Sequence, residues 1–428
     1  MVNDDDWMAA PAPAGVAPAA GLGLVPRCFM YEAVAAFLLA LLGSQSEGFV
    51  AGLLVAALTF TASAASQAHF SPAITAAYAC LGAITPLQAV AYICSHIVGG
   101  VFGSLTAAGL FGVDSALENS PFELAPLSAT SAAALVLPTV LYALVHLSVL
   151  SEGKRTQFYG LAVGFALYAG VVAHGESAQS CCLLNPALPI ANWLSKYLLG
   201  ATSSSSSSSL VLLRDAATSS PAIAWPILNL AAFLVLLMLV GGLSALLFDA
   251  CNGEGRLAVL STEFVGTFLF VYLVVATADE GRESSAQAVG LGLASLTYFG
   301  AEISEAHYNP MISLAHAISG GLGRNDVAPF LGVQLVACVL ATYCTSSLLG
   351  EQLPKQSLSL PYAISEIREA ELTSSSGLQA LMCSLLIAFV HLSVLNAQGK
   401  SAKADANGFF GYAIGARARG CVCIMEPA

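Results

Sequence analysis

Apolar and polar residues alternate along this chain in long blocks. One series of long apolar runs comes first, and a second series follows a short polar linker at 249–256. A helix needs roughly 17–25 mostly apolar residues to cross a bilayer. The first series therefore predicts six membrane spans, at 28–43, 48–67, 86–110, 131–150, 157–175 and 224–248, and the second series continues at 257–277, 286–304, 326–349, 376–396 and 408–416.

Two apolar pieces in the first series, 72–81 and 186–195, are too short to cross. Each begins with Pro after a Ser or Asn, the pattern of a capped helix start. A helix that starts at membrane depth leaves backbone N–H groups and a positive dipole end that need a polar partner. We interpret both pieces as re-entrant half-helices facing a permeating solute. The sequence motifs at these helix starts are Ser71-Pro72-Ala73, Asn185-Pro186-Ala187 and, in the second series, Asn309-Pro310-Met311.

The second series repeats the first. Residues 69–82 align without gaps to 307–320, an offset of 238 residues (307 − 69). Two further matches occur in the same order, so the chain is predicted to be a tandem duplication. They pair 145–150 with the identical 390–395, and 158–164 with the similar 409–415.

Three regions follow from this repetition. Residues 1–27, acidic and then rich in Ala and Pro, predict a disordered cytosolic tail. Residues 28–250 form a complete module, called module one here, and 251–428 form an incomplete module two. After Gly415 the sequence predicts neither a span nor a second half-helix, which indicates a truncated gene model at least as much as a real end.

Composition supports a membrane protein and excludes other classes. Hydrophobic residues make up 57% of the 428 and charged residues only 9%, whereas soluble domains carry about 25% charged residues. The net charge of −12 is scattered without a basic stripe, so no nucleic-acid partner is expected. The eleven cysteines lack metal-ligand spacing. We expect no metal, no cofactor and no enzymatic activity, because no nucleophile–base pair occurs.

Basic residues in the loops indicate an orientation. The segments that would share a side with the N-terminus carry more Lys and Arg than the opposite segments, which predicts a cytosolic N-terminus by the positive-inside rule. The residues are Arg27, Lys154, Arg155 and Arg256 on the cytosolic side, against Lys196 and Arg214 outside.

The half-helix motifs resemble those of the aquaporins, the major intrinsic protein family. His69-x-Ser71-Pro72-Ala73 is similar to the first motif and Asn185-Pro186-Ala187 to the second. The resemblance implies an all-α, right-handed six-helix bundle with two re-entrant half-helices, followed here by a partial second copy. It also implies a multi-pass channel for water or small neutral solutes, assembled as a tetramer-like homo-oligomer.

The resemblance assigns roles to further residues. Glu32 and Glu263 would hold the half-helix loops, with His69 and His307 as supports. Cys182 lies three residues before Asn185, where a thiol could let mercurials block the pore; a small buried residue is the equal alternative.

The selectivity filter implied by the resemblance consists of Ala51, Val171 and Leu188, with His174 as an alternative if the alignment shifts. Leu188 stands where the family usually places Arg, which resembles the divergent superaquaporin branch. An apolar filter leaves glycerol, urea, hydrogen peroxide and ammonia open beside water. The alternative function is a non-conducting structural or regulatory membrane protein.

Overall fold

The computed structural model describes residues 26–43, 46, 48–112, 129–150, 157–174, 184–203, 221–277, 282–349, 388–389, 391–392 and 414–415. Within these residues the structure contains helices and no strand, which confirms the predicted all-α class. The longer helices are α1 (Pro26–Leu42), α2 (Gly48–Ser66), α3 (Pro72–Cys80), α4 (Pro86–Phe111), α5 (Ala129–Leu150), α6 (Tyr159–Ala173), α7 (Ala187–Ser203), α8 (Pro221–Asn252), α9 (Arg256–Ala276), α10 (Arg282–Ser304), α11 (Pro310–Ser319) and α12 (Arg324–Leu349).

Most predicted runs coincide with helices, and four of the described helices, α2, α4, α9 and α12, are long and apolar enough to cross a membrane. Nearly all of the predicted runs 376–396 and 408–416 lies outside the described residues, as does the tail up to residue 25.

Two helices run past their predicted ends. The second short piece is predicted to stop at residue 195, whereas α7 continues to Ser203. The polar Ser195 does not end the helix, and its hydroxyl donates to the Val101 carbonyl oxygen at 3.3 Å. Similarly, α8 extends into the predicted linker as far as Asn252, whose side-chain amide donates to the Phe248 carbonyl oxygen at 2.9 Å.

Short-range capping explains where the helices begin. Thr85 precedes α4 and forms a capping box with Gln88: the Gln88 N–H donates to Thr85 Oγ1 (3.2 Å) and the Thr85 N–H donates to Gln88 Oε1 (2.8 Å). The half-helix α3 begins after Ser71 and α11 after Asn309, each with Pro in the first turn.

The chain divides into two compact units by its internal contacts. Unit one contains α1–α4, the beginning of α5, α7, and α8 up to Ala245. Its tightest packing joins α1 and α4, where a Cβ added at Gly99 would overlap the Ala33 carbonyl oxygen and one at Gly103 that of Phe37. The glycines thus let the two backbones touch, which is the close packing that the sequence Gly99-Gly100-x-x-Gly103 predicts.

Unit two contains α6, the Leu144–Val149 part of α5, the end of α8 from Leu246, and α9–α12. Here α9 packs against α10 and α12, and α6 packs against α10. Ser295 of α10 donates to the Ala162 carbonyl oxygen of α6 at 2.9 Å. A helix of the first repeat therefore packs within the second unit, while the predicted module boundary at residue 250 stays a prediction.

Candidate functional site

The two half-helix starts of module one meet within unit one. The Asn185 side-chain amide donates to the backbone carbonyl oxygen of Phe70, the residue before Ser71, at 2.7 Å. Each motif also caps its own helix: Ser71 Oγ accepts from the Ala73 N–H and Asn185 Oδ1 accepts from the Ala187 N–H, both at 3.3 Å. The N-termini of α3 and α7 thus lie side by side.

A buried carboxylate holds the chain just before α3. Glu32 of α1 is completely buried and accepts four hydrogen bonds. Its Oε1 accepts from the Ser66 hydroxyl and the His69 backbone N–H, and its Oε2 accepts from the Phe70 N–H and from His96 Nε2, each of the last two at 2.7 Å. These contacts are what a loop-supporting carboxylate requires; the role itself stays a prediction.

The segment that Glu32 holds has an unusual backbone. Gln67, Ala68 and Phe70 all adopt positive φ angles of 62°, 54° and 54°, a region that side chains with a Cβ rarely occupy. Each such residue costs on the order of 1–3 kcal/mol, so surrounding contacts must enforce it. The conformation turns successive N–H groups toward the carboxylate, and those charge-assisted hydrogen bonds offset the strain.

Module two repeats this arrangement. Glu263 is buried and accepts from the Ser304 hydroxyl and the His307 N–H through Oε1, and from the Tyr308 N–H and Gln334 Nε2 through Oε2. The positive φ angles recur at the matching residues, which are Glu305 (64°), Ala306 (50°) and Tyr308 (48°). The offset of 238 residues therefore holds for the backbone conformation as well as for the sequence.

The histidines predicted as supports occupy equivalent positions beneath these loops. His69 Nδ1 lies 3.1 Å from Thr75 Oγ1, and its ring packs on Tyr78 with a centroid distance of 4.3 Å. His307 Nδ1 lies 3.1 Å from Ser313 Oγ, and its ring packs on His316 at 4.2 Å.

The half-helix motif of module two, Asn309-Pro310-Met311, is more open than the matching motif of module one. Ser71 and Ala73 have no exposed surface and Pro72 is buried. Asn309 caps α11 by accepting from the Met311 N–H at 2.9 Å, but Pro310 is exposed and Met311 is 37% exposed.

The three predicted filter residues are all buried. Ala51 and Leu188 belong to unit one, with 3% and 4% of their surfaces exposed, whereas Val171 on α6 belongs to unit two with 1% exposed. The structure therefore does not bring the three together within one unit. The alternative filter residue, His174, ends α6 at its C-cap in unit two. Cys182 lies outside the described residues.

Several contributors were missed by sequence reasoning. Ser66 and Ser304 complete the two carboxylate sites, and the constant offset between them was a signal that could have found them. Glu305, His316 and His391 were also missed. Their imidazole and carboxylate groups converge beside His307, and the imidazoles of His307 and His316 lower the pKa of Glu305 to about 2.

Comparisons with known proteins agree with the geometry. The family model described as Major intrinsic protein matches residues 29–198 and 258–427, and the two matches in one chain confirm the tandem repeat. The chain is 33% identical over 148 residues to Aquaporin NIP1-2 of Oryza sativa subsp. japonica, covering 32% of this chain and 48% of that protein. It is 38% identical over 63 residues to Aquaporin NIP1-2 of Arabidopsis thaliana, covering 15% of this chain and 21% of that protein.

The chain thus spans about half the length of the rice relative and about a fifth of the Arabidopsis one. No solved structure gives a significant match.

Proposed function

Because the chain belongs to the major intrinsic protein family, we propose that it is a passive channel for water or small neutral solutes. The family and the apolar helices make it a multi-pass integral membrane protein. The conducting pathway is assigned to module one, at the paired starts of α3 and α7.

The observation that carries this proposal is the hydrogen bond from the Asn185 amide to the Phe70 carbonyl oxygen. It joins the two half-helix starts, so two positive dipole ends act on one place. An amide NH₂ has two hydrogens, and one of those of Asn185 is used by Phe70. The other is available to donate to a passing oxygen atom, while the two dipole ends oppose cations and protons.

The choice of solute follows from the apolar residues at the assigned filter. Ala51, Val171 and Leu188 offer neither a positive charge nor a hydrogen-bond donor, so the filter would admit glycerol, urea, hydrogen peroxide or ammonia beside water. A Leu in place of Arg removes one barrier to uncharged solutes larger than water.

A stopped-flow assay on proteoliposomes tests the proposal. Vesicles containing the full chain should swell or shrink faster than empty vesicles. Replacing Asn185 with Ala removes both the cap and the link to Phe70, and should lower the rate to that of empty vesicles. The matched control is Asn309→Ala in module two, which should leave the rate unchanged. Wild-type vesicles no faster than empty ones would contradict channel function.

A second candidate, a non-conducting structural or regulatory protein, is favoured by the burial of the pore residues. Ser71 is 0% exposed, and Ala51 and Leu188 are nearly as buried. The same assay separates the two functions if it is run with water, glycerol, urea, hydrogen peroxide and ammonia, since a non-conducting protein passes none of them.

Three remaining proposals concern assembly, topology and inhibition. We infer a tetramer-like homo-oligomer, which native mass spectrometry in detergent would detect, and a cytosolic N-terminus, which protease protection of an N-terminal tag would test. We also propose that Cys182 is the site of mercurial block. Cys182→Ser should abolish that block, and persistence of the block would locate the reactive thiol elsewhere.

A further inference from the structure

We propose that His307, His316 and His391 of module two form a binding site for one divalent transition-metal ion of the Zn²⁺ type. His307 lies in the left-handed loop before α11, His316 lies in the last turn of α11, and His391 lies on a separate short stretch of described chain. One ring nitrogen from each histidine lies within 4.8 Å of the others. All three side chains are buried, with at most 3% exposure.

Hydrogen bonding orients the ring of His307. Its Nδ1 lies 3.1 Å from Ser313 Oγ. That hydroxyl already accepts from Gln334 Nε2 at 2.9 Å and donates to the Asn309 carbonyl oxygen at 3.4 Å. When that hydroxyl gives its one hydrogen to the Asn309 carbonyl oxygen, it accepts from the imidazole. In this tautomer His307 carries its proton on Nδ1 and its lone pair on Nε2.

The other two rings are oriented in the same way. His316 Nδ1 lies 3.1 Å from a carboxylate oxygen of Glu305, which can only accept, so the lone pair of His316 is on Nε2. His391 Nε2 lies 3.1 Å from the backbone carbonyl oxygen of Glu305, so its lone pair is on Nδ1. Metal-binding histidines commonly donate their second ring N–H to a carboxylate, a carbonyl or another oxygen in this manner.

Two of these lone-pair atoms, Nε2 of His307 and Nε2 of His316, are buried and make no hydrogen bond to any of the residues that the structure describes. A buried polar atom without a partner is destabilising and calls for an explanation. A bound cation accounts for both atoms at once, because it accepts both lone pairs.

The spacing suits a metal after modest side-chain movement. Tetrahedral zinc with bonds of about 2.0–2.1 Å places neighbouring ligand nitrogens about 3.3 Å apart. The nitrogens here are at most 4.8 Å apart, so small rotations about the side-chain torsions close the site. Three neutral imidazoles suit Zn²⁺, and they also bind Cu²⁺, Ni²⁺ and Co²⁺.

Glu305 connects the cluster to the outside. Its carboxylate contacts His316 at 3.1 Å and lies 3.6 Å from His307 Nε2, yet the side chain is 55% exposed. It therefore orients one ligand and offers an entering cation a negatively charged route of access.

Module one lacks this combination. At the offset of 238 residues, Tyr78 stands in place of His316 and Gln67 in place of Glu305. Tyr78 packs on His69 much as His316 packs on His307, so the difference is in chemistry rather than in shape. The site is therefore specific to module two, and the residues of module one provide the natural substitutions with which to remove it.

Zinc titration of the purified full-length protein, first stripped with a chelator, tests the proposal. One equivalent of Zn²⁺ per chain should bind, and Co²⁺ in its place should give the visible absorption of a tetrahedral complex. His316→Tyr and His391→Gln should each weaken zinc binding more than about ten-fold. The control is His174→Gln, which removes a histidine outside the cluster and should bind zinc as the wild type does.

Two results would overturn the site: no stoichiometric zinc binding by the wild-type protein, or wild-type affinity in His316→Tyr. If His316→Tyr is not monodisperse on size exclusion, zinc affinity is measured on His316→Gln instead, because glutamine has a side-chain volume similar to that of histidine. The assay does not depend on conduction, so a failed swelling experiment leaves its outcome unaffected.

Discussion

The half-helices α3 and α11 share the way they begin and differ in what covers them. The same left-handed loop and the same buried carboxylate precede both. Along α3, Ala76 is buried and lies against Gly241 of α8. At the matching position of α11, Leu314 is 38% exposed. The start of a half-helix is therefore fixed by its own loop and its glutamate, with or without cover.

The neighbouring helices show the same contrast. Gly100 of α4 lies directly against Ala191 of α7, because a Cβ at Gly100 would lie 2.8 Å from the Ala191 Cβ. Cys338 occupies the matching position of α12 and is exposed. Within the described residues, module one thus has a second half-helix seated on its third span, and module two presents that surface uncovered.

Removing the buried carboxylate of Glu32 should change stability more than any other substitution in this comparison of the two half-helices. Glu32→Ala leaves the His69 and Phe70 N–H groups and His96 without their acceptor, which should destabilise the protein by about 3–5 kcal/mol. Thermal unfolding in detergent measures the loss, and module-one permeability should fall with it.

Glu263→Ala is the matched variant. It should destabilise the loop of module two similarly but keep the solute flux of module one. Equal loss of flux in both variants would mean that the two loops are not independent.

Adding a methyl group at the contact between α1 and α4 in unit one should have the next largest effect on stability. Gly99→Ala forces a methyl group into the Ala33 carbonyl oxygen and should cost about 1–3 kcal/mol, seen as a lower unfolding temperature. Gly109→Ala on the same helix is the control, because no atom of the described residues lies within 4 Å of its added Cβ. Similar melting shifts for the two would refute close contact between α1 and α4.

Leu188→Arg should alter selectivity more than stability. A guanidinium at the assigned filter narrows it and adds donors, so glycerol flux should fall several-fold relative to water flux in the swelling assay. Leu188→Ile, which preserves volume and polarity, should keep the wild-type ratio. An unchanged ratio in Leu188→Arg would show that Leu188 lies away from the conducting path.

The two buried carboxylate sites differ in one side-chain hydrogen-bond donor, His96 at Glu32 and Gln334 at Glu263. Exchanging this donor should have the smallest effect on stability. His96→Gln gives Glu32 the amide donor that Gln334 gives Glu263, so the stability change should be below about 1 kcal/mol. His96→Leu, which offers no donor, should cost distinctly more. If His96→Gln is as damaging as His96→Leu, the two carboxylate sites are not interchangeable.

Helix starts and close helix contacts could be predicted from the sequence, because they depend on a few neighbouring residues. The Pro after Ser71 predicts the start of a helix at residue 72, and the predicted piece 72–81 differs by one residue from α3, Pro72–Cys80. Likewise, the glycines of α4 predict close packing because only small side chains let two backbones meet. Such features depend on a few neighbouring residues.

Helix partners could not be predicted in this way. The apolar surface of α6 fits many neighbours, and its hydropathy does not say that it packs against α10, where Tyr168 donates to Gln287 Oε1 at 3.2 Å. The histidine cluster was missed for a related reason: His316 and His391 are far apart in sequence, so the spacing carries no sign of a shared site.

Order of synthesis gives the Glu32 site a further consequence. The chain emerges from the ribosome N-terminus first, so α1 exists before Ser66, His69, Phe70 and His96 have been made. A carboxylate surrounded by lipid tails is costly until its donors arrive. We therefore expect α1 to stay near water until about sixty more residues, the separation of Glu32 from His96, have followed it. In this view, the release of α1 into lipid waits for the third span to be made.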